Sequence, residues 1–149
     1  MFSKKPNCTK VDAPMMAVPP CPCVLAENDL WISYQQGGEE EKWIVSHFDG
    51  YLQIKHGYPN DEALGAHPLG KYGLKFYDVF EVKNSPEIED IKRRNRIHPR
   101  HTDASFEKER HWVFTFQDET LDVISRDEPS FQIVEATSAI DAIYKRKNS

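Results

Sequence analysis

The chain has 149 residues, a formal net charge of −5 and 39% hydrophobic residues, which suits one domain that buries its own core without disulfides or an obligatory metal. The acidic balance argues against a general nucleic-acid or anionic-membrane binder. No run approaches the roughly 18 apolar residues that span a bilayer, so a soluble protein without membrane contact is expected.

Residues 1–23 contain five prolines, Pro6, Pro14, Pro19, Pro20 and Pro22, and little periodicity. They read as an extended arm laid on the domain or as a partly disordered tail, ahead of a single α+β domain over 24–149. No continuous apolar segment follows Lys4 and Lys5, so no secretion signal is expected. The three cysteines, Cys8, Cys21 and Cys23, are odd in number and all lie in this arm, which fits free thiols in a reducing cytoplasm better than a disulfide framework. One residue between Cys21 and Cys23 is poor spacing for structural zinc, and no cofactor or metal is assigned.

The run VLAENDLWISYQQ, residues 24–36, predicts one strand with Leu30, Ile32 and Tyr34 opposite Trp31 and Ser33. Gly37-Gly38 ends it, and Glu39-Glu40-Glu41 reads as a solvated turn. Residues 43–58 then predict a two-residue hairpin about Asp49-Gly50, because type I′ turns need positive φ at both central positions. That register puts Trp43, Val45, His47, Leu52, Ile54 and His56 on one face.

Residues 57–73 hold four glycines and two prolines, so no long helix or strand runs through them, although Asn60–Leu64 can form one helical turn. Long irregular connections in small domains are often functional. Tyr58, Asn60, Asp61, Glu62 and His67 supply donors, acceptors and an imidazole, while the bland reading has Asn and Asp capping their own backbone.

Residues 74–83 return to strand, and Asn84-Ser85-Pro86-Glu87 announces a helix with Ser85 as cap and Pro86 in the first turn. Ile88 and Ile91 mark its buried stripe. Its acidic start and basic end match the helix dipole, which explains the basic run KRRNRIHPRH without nucleic acid, and no aromatic side chain in it stands ready to stack on bases. His98 precedes Pro99 and is biased toward extended backbone, so His98 and His101 leave the helix on a turn. With Asp103 they form an incomplete metal-ligand set that matches no established helix-borne motif.

The run HWVFTFQDETLDVIS predicts a second hairpin. With Asp118-Glu119 as its tip, Phe116 faces Leu121 and Phe114 faces Val123, giving an apolar face that also includes Trp112. The other face carries His111, Val113, Thr115, Gln117, Asp122 and Ile124, and either meets water or floors a shallow polar site. A short strand over 131–135 and a Ser138-capped helix, packed through Ile140, Ile143 and Tyr144, complete the chain.

The segments PNDEALGAHPL, NRIHPRH and HWVFTFQDETLDVIS resemble runs in a family of small bacterial proteins, and the stretch from the first to the last, residues 59–125, covers roughly half the chain. The resemblance implies a bacterial cytosolic origin and brings no activity with it. The residues themselves exclude several chemistries: there is no glycine-rich phosphate loop, no Gly-x-Ser-x-Gly and no His-Glu-x-x-His.

The reading is a mainly antiparallel sheet of about six or seven strands with two helices. Its expected function is a binding or interaction domain for a protein or a small-molecule ligand. Loop 57–73 and segment 98–111 form the site, with His56, Tyr58, Asn60, Asp61, Glu62, His67, His98, His101 and His111 as candidates. The alternative is a histidine/carboxylate hydrolase or lyase, possible with metal assistance, using His56 or His67 with Asp61 or Glu62. That alternative requires at least two of the histidines to meet carboxylates in one concave pocket.

Overall fold

The computed structural model describes residues 4–38 and 40–149. Nine strands run through them: β1 (Asn7–Lys10), β2 (Cys23–Ala26), β3 (Leu30–Gln35), β4 (Lys42–Phe48), β5 (Gln53–Gly57), β6 (Val79–Lys83), β7 (Arg110–Thr115), β8 (Thr120–Ser125) and β9 (Ser130–Glu135). Two α-helices, α1 (Pro86–Asn95) and α2 (Ala139–Lys147), join them. The strands pair antiparallel in two sheets, ordered β1-β6-β7-β8-β5 and β2-β3-β4-β9. The expected α+β, mainly antiparallel class is present, built from nine strands in two sheets instead of six or seven in one.

Period-two alternation stacks the sheets face to face. Leu30, Ile32, Tyr34, Ile44 and Phe48 point inward from the smaller sheet and meet Val79, Trp112, Phe114, Leu121 and Val123 of the larger one. Their rings interlock, with Tyr34 and Phe48 centred 6.3 and 6.2 Å from Phe114 at steep interplanar angles, an arrangement that adds to area burial.

The Asp49-Gly50 hairpin does not form. Strand β4 already has β3 on one side and β9 on the other, while β5 joins β8 at the edge of the larger sheet. Asp49 and Gly50 therefore carry the chain from one sheet to the other. Positive φ occurs at Gly37, Gly38, Gly57 and Gly73 but not at Gly50, so the backbone is not that of a type I′ turn. His47 and His56 consequently part: His47, on the smaller sheet, bonds Asp29 at 2.8 Å and stacks on Trp31, whereas His56 belongs to the larger sheet.

Three further expectations are corrected. Residues 24–36 are two strands turning at the polar Glu27-Asn28-Asp29, which breaks the run without any glycine. In the β7–β8 hairpin Phe114 faces Leu121 and Thr115 faces Thr120, two residues away from the expected register. A shift of two preserves the faces, so the apolar and polar sides are those read from the alternation. On α2 the buried residues are Ala142 and Ile143, whereas Ile140 and Tyr144 are exposed, because the helix seats its small residue against Trp31 and Val45.

Within the arm, β1 pairs with β6, and the carbonyls of Pro19 and Pro20 accept the Gln117 and Asp118 N–H groups. Ala17 donates to the Gln36 carbonyl beside Gly37, where a Cβ would fall 2.3 Å from the Ala17 Cβ. Only glycine permits that approach. Cys8 is buried, Cys21 is exposed and Cys23 lies in β2. Of the acidic run, Glu40 and Glu41 are exposed, and Glu39 lies outside the described residues.

The outer face of the smaller sheet is covered by α2. The larger sheet is covered differently. At one end the connection after β5 folds over it, its residues 61–66 forming the 3₁₀ turns capped by Asn60, and buries Leu64, Leu69 and Leu74 against Phe80, Val82 and Val113. Near the opposite end α1 crosses, capped by Ser85 with Pro86 in its first turn as expected, although Ile88 and Ile91 are only half-buried. Between loop and helix a strip of sheet remains open.

Candidate functional site

That strip is the floor of a groove of about 1200 Å³. On its walls stand Tyr58, Pro68, Leu69, Lys71 and Tyr72 from the loop, and Pro86, Glu87, Glu89, Asp90 and Arg93 from α1. The floor presents His111, Thr120 and Asp122, with His67 reaching in from the loop, while His56, paired with inward-facing Leu121 on edge strand β5, lines the groove from the sheet edge. Its volume is slightly above the usual range of small-molecule sites, roughly 300–1000 Å³.

Asp122 is the centre of the floor. It occupies an outward position of β8, beside His111 on β7, and its carboxylate accepts from both imidazoles: Oδ1 lies 2.8 Å from His67 Nε2 and Oδ2 lies 2.7 Å from His111 Nε2. The far sides of the rings decide where the protons sit. Leu69 N–H donates to His67 Nδ1 at 3.0 Å, so the His67 proton is on Nε2, directed at Asp122. His111 Nδ1 lies 2.7 Å from the Ser85 hydroxyl, which also accepts the Ile88 N–H as the cap of α1. One chain of hydrogen bonds thus runs from the start of α1, across two strands, to the loop.

All four side chains are buried, which makes each bond costly to lose. Burial pushes the Asp122 carboxyl up, but the bonds from His111 and His67 outweigh it and hold the group below the usual carboxylate value. Glu87 follows the same pattern, with burial opposed by bonds from Lys55 and Gln53, and Glu81 is held low by Arg110. A carboxylate depressed in the folded state stabilises the fold above its unfolded value, and that stability disappears as pH falls through the folded value. Urea midpoints measured from pH 5 to pH 3 will therefore fall, and less steeply in Asp122→Asn. Equal slopes would show that Asp122 is not among the groups responsible.

The chemical capacity of the floor follows from this geometry. Both nitrogens of His67 and both of His111 are engaged, so these rings orient the site and hold no free lone pair for proton abstraction. His56 differs: Nε2 lies 2.5 Å from Glu119 Oε1, and Nδ1 has no protein partner among the described residues. Among the described residues no group of three or more His, Cys, Asp or Glu side chains is disposed to hold a metal ion, consistent with imidazole N–H groups that point at the Asp122 oxygens.

Of the nine candidates, His56, Tyr58, His67 and His111 line this groove. The others do not. Asn60 caps the 3₁₀ turn, Asp61 accepts from Tyr77 at 2.5 Å, and Glu62 is exposed outside the groove lining. His98 accepts from Arg100 N–H, while His101 sits between Asn95 and Asp103 beyond the end of α1. The carboxylates that the groove-lining histidines meet are thus Asp122 and Glu119, not Asp61 and Glu62. Asp122, Ser85, Glu119, Thr120 and Lys71 escape a motif search, and the one legible signal was a carboxylate and an imidazole sharing the outward face of the β7–β8 hairpin. Comparison of the chain with known protein families, curated proteins and solved structures finds no match.

Proposed function

We propose that this protein is a binding domain that holds a small-molecule ligand in the groove between α1 and the loop over 57–73. The observation that carries this reading is the closed Ser85–His111–Asp122–His67 chain, which ties the two walls together through the floor. A groove whose walls are already fixed loses little entropy when a ligand enters. Tyr58, 77% exposed at the rim, supplies an aromatic contact surface at low entropic cost. Its three free thiols suit a reducing, cytosolic setting.

The His56–Glu119 pair favours a second reading, in which the same groove carries out proton transfer with His56 as base and Glu119 orienting it. A saturation-transfer screen of a fragment library, with hits mapped by amide shifts, tests the first. Hits are expected to perturb His56, Tyr58 and Thr120 and to weaken in Tyr58→Ala. Binding that maps elsewhere, or no binding, overturns it. Turnover of generic aryl esters that drops about 100-fold in His56→Ala would favour the second.

A further inference from the structure

We infer that the ligand of this groove is an oxyanion of the phosphate-monoester class, held by Lys4 and Lys71 above the floor; the inference rests on the ligand-binding reading.

Four carboxylates line the groove, Glu87, Glu89, Asp90 and Asp122, and each is already engaged. Glu87 accepts from Gln53 at 2.8 Å and Lys55 at 2.9 Å, Glu89 pairs with Lys92 at 3.0 Å, and Asp90 accepts from Arg94 at 2.9 Å and also from Arg93. Asp122 holds the two imidazoles. A cationic ligand would therefore find no carboxylate at liberty.

The cations are in the opposite position. Lys55 and Arg93 are paired, but Lys4 and Lys71 also line the groove, and neither ammonium has a carboxylate within salt-bridge distance among the described residues. Lys71 is instead held 5.3 Å from the Tyr72 ring centroid. The hydroxyl of Thr120 on the floor and the phenols of Tyr58 and Tyr72 on the walls likewise have no protein partner among the described residues. The unpaired groups are thus two positive charges and three hydroxyls, and because each carboxylate of the lining already has a partner, the charge left open to a ligand is positive despite the net charge of −5.

A phosphate monoester carries roughly −1.5 to −2 charge at pH 7 and three acceptor oxygens, which matches two ammonium groups and the hydroxyl donors that line the same groove. A monocarboxylate matches one. The rims formed by Tyr58, Pro68 and Tyr72 leave an apolar seat for an esterified group.

Amide-shift titration of the full chain with phenyl phosphate at low salt tests this, beside phenol, benzoate and inorganic phosphate. Phenyl phosphate is expected to perturb His56, Lys71 and Thr120 and to bind more tightly than phenol or benzoate. Affinity should fall on the order of fivefold in Lys71→Glu, and further in the Lys4→Glu/Lys71→Glu double variant, with Lys108→Glu unchanged. All three positions are exposed, so folding is not at issue. Equal binding of phenol in the groove, insensitive to both reversals, overturns the anion inference while leaving a ligand groove standing. Phenyl phosphate shifts confined to 92–101, or none from any probe, overturn it as well.

Discussion

Replacing Asp122 with Ala will lower the free energy of unfolding by about 3 kcal/mol, the scale on which removing one partner of a buried charged network acts. The cost comes mainly from what is left behind. Two imidazole N–H groups would remain buried without an acceptor, and the tie between loop and helix would be cut at its centre. Asp122→Asn separates these effects. Its amide oxygen can still accept from His67, whose tautomer is held by Leu69 N–H. Its amide N–H then requires His111 Nε2 to become an acceptor, which is possible because the Ser85 hydroxyl can accept from His111 Nδ1 once its own proton turns away. The Asn variant should therefore lose about half as much as the Ala variant. Urea unfolding of both checks this, and a loss below about 1 kcal/mol in Asp122→Ala would show that the walls are held by something else.

Phe114→Ala will cost about 3–5 kcal/mol. Phe114 is fully buried, and its ring contacts Tyr34 and Phe48 of the smaller sheet, Phe116 at its own strand end and Phe131 of β9. One truncation thus removes contacts across the whole inter-sheet core, which rigid rings on several sides cannot collapse to refill. The midpoint of denaturant unfolding should drop with little change in its slope. A groove mapped by amide shifts should stay in place, since Phe114 faces the core and the groove lies on the opposite face of the same sheet.

What could be read directly from the residues was local. Ser85-Pro86 and Ser138 marked both helix starts because a cap acts within three residues of itself. The faces of β7 and β8 were legible because side-chain direction alternates regardless of the strand's partner, and this survived a register error of two. The partner of β4 was not legible: Asp49-Gly50 favoured a tight turn locally, but pairing β4 with β3 and β9 and sending β5 to the other sheet lets both sheets bury their inner faces. Tertiary burial overrode a turn preference of smaller size.

The site shows the same division. His67 and Asp122 are 55 positions apart, and Ser85 and His111 are 26 apart, so no spacing rule connects them. His98 and His101 were candidates for the same site but lie beyond the end of α1, outside the groove lining. By itself the sequence determined strand faces, helix starts and the acidic, mainly antiparallel α+β class, because each depends on neighbours a few residues away. Only the tertiary structure decided which strands pair and which imidazoles share a carboxylate, because those depend on closing long loops over a common core.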